Sequence, residues 1–407
     1  MGNKNLRITI LTILIPIILQ LIYIRYVSYE VNKSDYGDFI ILSTFVVALS
    51  QIFLSIPAQS FMRFFNSSNK LFLINEFRTY LIGVNLISIV LIYSLYLFYG
   101  DRFDSSIYIL LYIYFLFSNN YSLNQQIFLL NMERKRYFIL KLMEGLAKFI
   151  FPIIFYILYE TLESLLIGLV VGYIISFIII SIYLKEYPFK IEFNIQNQKK
   201  YFIYAYPIIF SAIFSWSISF SDRYFIDYFM SSKDVGIYAI LAQVAGFAQI
   251  LGMLFSTYVN PIVLKKYEEN KEDGLFLLKN YLIKFMIISL ISFLIMIILP
   301  RDIFTLIVEK DIIYNDKYYL ILFVLIAGIF STVFQTAMSM YFILLKRLDV
   351  HAKIFIVASI TNFLLNFYIL EYGIIAAAFS TFIAYLILNI LILVWIRKNI
   401  ITKGNAK

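Results

Sequence analysis

Asp35-Tyr36-Gly37-Asp38-Phe39-Ile40-Ile41-Leu42 returns 199 residues later as Asp234-Val235-Gly236-Ile237-Tyr238-Ala239-Ile240-Leu241. Each copy opens a long apolar segment, and the offset is about half of the 407-residue chain. Two matched halves in a membrane chain are the architecture of many secondary transporters, whose substrate site lies between the repeats. The repeat points to cargo carried across a bilayer rather than to a chemical reaction.

Composition agrees. Hydrophobic residues make up 62% and charged residues 14% of the chain, against roughly 45–50% and about 25% in a globular domain. Apolar runs repeatedly exceed the roughly 18 residues that argue for a span, and none shows the short alternation of a β-barrel strand. The expected fold is an all-α membrane protein. Twelve spans are expected, at 8–29, 36–58, 77–99, 106–130, 138–159, 162–184, 203–229, 235–262, 279–299, 318–345, 352–370 and 373–396. They divide into two pseudo-repeated six-helix bundles, residues 1–190 and 191–407, joined by a polar stretch at 185–202. In the second part of the repeat, Arg134 aligns with Arg347 at an offset of 213, so the later half carries 14 extra residues, placed in the 300–317 loop. The opening run, with Lys4 and Arg7 before it, lacks a small-residue cleavage site and reads as a retained first helix.

The net charge of +9 belongs to short loops and implies no nucleic-acid partner. With the N-terminus inside, the cytoplasmic segments hold 25 of the 34 Lys and Arg, the opposite side holds six, and three lie within spans. That asymmetry orients the chain with both termini cytoplasmic. Cysteine is absent and His351 is the single histidine, so neither a thiolate nor a polyhistidine metal site is expected, and no cofactor is. There is no GxxxxGK[ST] loop for ATP and no Ser-His-Asp set, so the chain is not read as an enzyme.

Charges inside spans cost roughly 2.5–3.5 kcal/mol each on insertion scales and call for a reason. Arg25 and Arg223 precede the repeated Gly37 and Gly236 by 12 and 13 residues, nearly matching places in the two halves. Snorkelling accounts for both, and Asp227 at i+4 is a structural partner for Arg223; an anion site in a shared cavity accounts for the match. Lys148 lies too deep to snorkel easily, with Glu144 four residues earlier on the same face. The two form either a neutralising pair or a site that releases a proton or cation when an anion engages Lys148. Arg63 is either a positive-inside residue or a further cation of that site. Asn120 and Asn124 in the fourth span and Gln335 in the tenth suit either interhelical hydrogen bonds or a wet cavity that binds sugar hydroxyls. Glu144, Asp222 and Asp227 are the candidate groups for ion coupling or gating. Pro57, Pro207 and Pro261 lie in or near spans, where they can kink helices.

Tyr204-Ala205-Tyr206-Pro207-Ile208-Ile209-Phe210-Ser211, then Trp216, Ser221-Asp222-Arg223-Tyr224-Phe225-Ile226 and Asp234-Val235-Gly236-Ile237-Tyr238, resemble the seventh-to-eighth helix region of the Wzx-type polysaccharide flippases. These belong to the multidrug/oligosaccharidyl-lipid/polysaccharide exporter superfamily. Asp35-Tyr36-Gly37 fits the same pattern, as do Asn362-Phe363-Leu364-Leu365-Asn366, Gly373 and Ala376-Ala377-Ala378. The resemblance spans the whole chain. It implies two six-helix bundles around a central cationic cavity in the bacterial inner membrane. It implies translocation of undecaprenyl-diphosphate-linked oligosaccharide units, for O-antigen, lipopolysaccharide, capsule or a similar glycan. Polymerase and chain-length proteins of the same pathway are the implied protein partners. A diphosphate gives Arg25, Arg63, Lys148 and Arg223 a purpose, since cations in a low-dielectric cavity offset its charge.

The expected function is thus a lipid-linked oligosaccharide flippase working by alternating access. A drug or cation exporter on the same fold is the first alternative; it would favour buried carboxylates over arginines. A polytopic polysaccharide polymerase or ligase is the second; it would need a larger outer loop than this chain has.

Overall fold

The computed structural model describes residues 3–65 and 69–401, without the side chains of 3–7, 9, 10, 62, 207, 208, 257, 400 and 401. Lys403 and Lys407 of the charge count lie outside the described residues, as do the side chains of Lys4, Arg7 and Pro207. Among the described residues there are twelve long helices and no strand: α1 Asn3–Glu30, α2 Lys33–Phe64, α3 Lys70–Tyr99, α4 Ser105–Leu130, α5 134–159, α6 Leu162–Tyr183, α7 Ile195–Phe229, α8 232–269, α9 Lys271–Ile298, α10 Asp316–Met338, α11 Leu348–Asn366 and α12 Ile374–Ile396. A π turn, Leu146–Ile150, interrupts α5, and a second, Phe255–Val259, interrupts α8. Nine helices are long and apolar enough to cross a membrane, and α7 makes ten if its segments Ile195–Tyr206 and Ile209–Phe229 form one span. The remaining two, α4 and α5, carry the amides and ion pairs described below. The protein is an all-α membrane protein with pseudo-repeats, as expected.

Capping explains why the quoted octapeptide repeats. Asn32 Oδ1 accepts from Ser34 N at 2.8 Å and starts α2. Ser231, 199 positions later, accepts from Asp234 N at 3.2 Å and starts α8. Each copy is the first turns of a helix behind a polar cap, and Asp35 and Asp234 place negative charge at the positive end of the helix dipole.

The later half of the repeat corrects the expected register. After α4, Met132 takes φ +59°. There Met132 N donates to Leu129 O at 3.1 Å and Glu133 N to Phe128 O at 3.0 Å. After α10, Lys346 takes φ +54°. Its N donates to Ile343 O at 3.2 Å, and Arg347 N to Phe342 O at 2.9 Å. These are the same left-handed helix stop, so Arg347 corresponds to Glu133 at an offset of 214, not to Arg134 at 213. The connection 299–315 has 17 residues against five in 100–104, and it holds the extra chain largely as the short helices Arg301–Phe304 and Lys310–Ile313. Part of the expected open loop is therefore helical.

Contacts divide the chain into two compact units, Met1–Ile213 and Phe214–Lys407. In the first, α6 packs on α4 and on the second part of α5. Gly168 and Gly172, four apart on α6, make this possible: a Cβ on Gly168 would lie 2.5 Å from Phe151 O, and one on Gly172 2.6 Å from Ala147 Cα. Small residues at that spacing let helix backbones approach in lipid, here against the π turn that carries Lys148. In the second unit, α12 packs on α10 and α11, and α10 on α8. Outward faces are continuously apolar; α9 exposes Ile283, Ile287, Ile291 and Ile295 along one side, as a lipid-facing helix does.

Candidate functional site

A polar cluster interrupts the apolar interior of each unit. In the second unit a cavity of about 390 Å³ is walled by α7, α8, α10 and α12. α7 contributes Ser215, Ser219, Asp222 and Arg223, α8 Tyr238 and Gln249, α10 Thr332, Gln335 and Thr336, and α12 Thr381 and Tyr385. Hydrogen bonds across helices fix the wall. Thr332 Oγ1 donates to Gln249 Oε1 at 2.6 Å, and Ser219 and Tyr385 hydroxyls lie 2.8 Å apart; at the end of α10, Gln335 Nε2 donates to Ser339 Oγ four residues on at 2.7 Å. Ser339 in turn meets His351 Nε2 at 2.8 Å.

Asp222, 2% exposed, is held by three donors. Its Oδ1 accepts from Arg223 N at 2.9 Å, and its Oδ2 from the Tyr238 hydroxyl and from Thr381 Oγ1 at 3.4 Å. Behind it Ser221, Asn362, Asn366 and Ser380 form a buried network: Ser221 Oγ donates to Asn362 Oδ1 at 3.3 Å, Asn362 Nδ2 to Ser380 Oγ at 3.4 Å, and Ser380 to Asn366 Oδ1. Three helices, α7, α8 and α12, thus converge on one carboxylate, and α11 joins the network behind it.

Arg223 differs from its neighbour. It is 8% exposed, yet its Nε has no hydrogen-bond partner, and among the described residues no carboxylate forms an ion pair with it. The expected i,i+4 pair with Asp227 is not formed by Arg223; Asp227 is half-buried and does not line the cavity. The guanidinium carbon lies 4.6 Å over the Phe220 ring. The Asp222 carboxylate is a neighbouring charge, but a buried guanidinium nitrogen that bonds nothing is costly, and this one borders an open, hydroxyl-lined space.

In the first unit Glu144 gathers charge. Its Oε1 accepts from Lys148 Nζ at 2.6 Å, and its Oε2 from Lys141 Nζ at 2.7 Å and Gln125 Nε2 at 3.3 Å. Lys148 and Glu144 do pair, as sequence spacing suggested, but Lys141 makes the cluster net cationic. Asn124 Oδ1 accepts from Arg78 Nε at 2.8 Å, and its amide donates to Asn120 O at 2.7 Å. Asn120 Nδ2 donates to Leu116 O at 2.7 Å. These two amides are largely satisfied locally, within α4 and against Arg78. Arg25 is exposed and lies 5.2 Å over the Tyr29 ring; Arg63 is exposed at the end of α2. The nearly matched arginines, Arg25 and Arg223, therefore stand in unlike surroundings.

Of the expected residues, Asp222, Arg223 and Gln335 share one cavity. Sequence reasoning missed Tyr238, Gln249, Thr381 and Tyr385 as site residues. Tyr238 stood in the quoted repeat, and Asn362 and Asn366 in the flippase-like pattern; a search for polar residues facing a buried acid would have singled them out.

A family model described as "Polysaccharide biosynthesis protein" matches residues 31–313. No curated protein matches the sequence. Among solved structures, the chain is similar to lipid II flippase MurJ in an inward closed conformation, with a TM-score of 0.74 and 18% identity over 97% of this chain and 88% of that one. It is similar to an inward-facing multidrug resistance MATE family transporter of the MOP superfamily, with a TM-score of 0.72 and 13% identity over 97% and 99% of the two chains. A MOP superfamily transporter from Pyrococcus furiosus gives a TM-score of 0.67 and 12% identity over 96% and 95%. At such identities these likenesses speak to the fold, and it is that of membrane transporters.

Proposed function

The chain belongs to the polysaccharide biosynthesis protein family, and from that premise we propose that it flips undecaprenyl-diphosphate-linked oligosaccharide units, of the O-antigen or capsule kind, across the bacterial inner membrane. Arg223 carries this reading. A buried guanidinium that forms no ion pair and leaves its Nε unbonded, beside a roomy polar cavity, suits a diphosphate, whose paired oxygens match the guanidinium fork. Gln335, with the hydroxyls beside it, suits the sugars. Lys148 and Lys141 together outweigh Glu144, which both of them bond, and so add cationic charge in the first unit, and Arg25 and Arg63 supply exposed cations for the head group. Asn120 and Asn124 rank below these, because their amides are engaged and, unlike Gln335, they do not line the cavity.

Asp222 is the proposed coupling group. Its charge sits among hydroxyls and amides that a proton or small cation can rearrange, which makes transport by alternating access responsive to an ion gradient. Glu144 and Asp227 are secondary candidates. The charge asymmetry supports an orientation with both termini in the cytoplasm. Polymerase and chain-length proteins of the pathway are the proposed protein partners. The buried Asp222 also favours a second reading, a cation or drug exporter on the same fold. Deleting the gene separates the two. A flippase leaves lipid-diphosphate-linked repeat units accumulated on the cytoplasmic leaflet and no surface glycan. An exporter leaves surface glycan intact and raises sensitivity to cationic drugs, which would overturn the flippase reading.

A further inference from the structure

The connector between α6 and α7 has two unlike sides. One side is tied to the first unit. Arg78 Nη1 donates to Tyr187 O at 2.8 Å, and Glu192 N to Thr79 Oγ1 at 3.1 Å. The buried Glu76 accepts from Asn197 Nδ2 at 3.1 Å and from the Tyr201 hydroxyl at 2.9 Å. Along α7, Asn197, Tyr201 and Ala205 recur at i, i+4 and i+8, which is one helical face, and Tyr201 and Ala205 are buried.

The other side is apolar and uncovered. From 188 to 194 the chain is neither helix nor strand, and every second residue is an exposed hydrophobe: Phe189, Ile191 (75%) and Phe193 (63%). The pattern continues into α7, where Ile195, Phe202 and Ile203 are exposed on the face opposite Asn197 and Tyr201. Lys185, Lys190, Lys199 and Lys200 are interleaved and exposed. A loop surrounded by water does not hold six large hydrophobes out while its polar groups turn inward. The segment begins two residues after Tyr183, the last residue of α6, and runs into α7, so it lies where spans leave the bilayer.

We propose that residues 185–203 form an interfacial anchor, seated in the head-group layer of an anionic leaflet, with the hydrophobes at acyl depth and the lysines on lipid phosphates. Apolar area set between basic residues is the pattern of an interfacial segment, and lysines near the surface gain from anionic lipid. Because the opposite side is bonded to α3, the anchor holds the inner end of the first unit at a fixed depth. The inference holds whatever the cargo.

Because the chain has no cysteine, single spin labels test it directly. Labels are placed at Ile191→Cys and Phe193→Cys, with Asn315→Cys as a loop reference, in the full chain in nanodiscs of phosphatidylglycerol and phosphatidylethanolamine. Collisional access to oxygen should exceed access to a water-soluble nickel chelate severalfold at 191 and 193, and the reverse should hold at 315. Replacing the anionic lipid by phosphatidylcholine should raise nickel access at 191 and 193. Nickel access at 191 and 193 equal to that at 315 means a water-facing surface and overturns the proposal. Exclusion of both reagents means coverage by protein, such as a second copy, and overturns it too. Insensitivity to lipid charge overturns the anionic part.

Discussion

Replacing Arg223 by alanine removes a buried cation that bonds no carboxylate, so transport and stability should separate. At about 4 Å and an effective dielectric of about 20, a guanidinium and one phosphate charge interact by about 4 kcal/mol. Truncating one partner of a buried, hydrogen-bonded charge pair costs about 2–5 kcal/mol. Taking about 3 kcal/mol, the loss is roughly 150-fold in the affinity of the loaded state. Stability changes less. The alanine variant loses a cation–π contact with Phe220, worth up to about 2 kcal/mol when desolvated, and the nearby cation beside Asp222. It also removes a buried guanidinium nitrogen that bonds nothing. The net change should stay within about 2 kcal/mol, a shift of several degrees in Tm for a unit of about 200 residues. Arg223→Lys keeps the point charge but not the fork, and should lose about 1 kcal/mol, roughly fivefold. The assay is surface glycan in a deletion strain, normalised to membrane protein level, with Tm of the purified variants alongside. Arg223→Ala with surface glycan within about twofold of the parent, a loss smaller than 0.5 kcal/mol, would refute the cationic site. Rescue of that variant by Asp227→Asn would instead reinstate a structural pair.

Asp222→Asn should insert normally but lose its response to a proton or sodium gradient in proteoliposomes; an unchanged gradient response would remove Asp222 from coupling. Glu144→Gln leaves Lys141 and Lys148 facing each other and should lower Tm, with Lys148→Gln restoring it; a neutral Glu144→Gln would show that the cluster is not structural. Gly172→Ala drives a methyl group to 2.6 Å from Ala147 Cα and should sharply reduce folded protein, whereas Gly83→Ala meets nothing within 4 Å and should be silent; fluorescence-detected size exclusion decides. For topology, a cysteine at exposed Lys199 should resist an impermeant outside reagent and one at Asn315 should react. Lys199 is preferred to Asn197, whose amide is bonded to Glu76 and would resist labelling whichever side it faced.

The order of the helices was legible in the sequence because its causes are local, although α3, α7 and α9 begin seven or eight residues before the expected spans. Apolar length decides whether a segment spans, and Asn32 and Ser231 cap the helices they precede. Loop charge is equally local, and the repeat exposed the two-fold plan. The register of its later half was misjudged by one residue, since Arg134 and Arg347 look alike as letters. The left-handed stops at Met132 and Lys346 are visible only in the backbone.

The candidate site was legible only in part. Asp222 and Arg223 stood out because charge within a span is costly. Their fates could not be told apart, because three donors reach Asp222 from its own helix and from two others, the most distant 159 residues away. Asn120 and Asn124 looked like cavity amides, but apolar surroundings make a polar group take whatever partner is nearest, and theirs were a helix carbonyl and Arg78. By itself, then, the sequence determined a two-fold bundle of apolar helices and the places where charge enters it. Which of those charges found partners, and which was left facing a cavity, depends on how the helices are rotated about their axes. Contacts between distant segments set that rotation, so only the tertiary structure decided it.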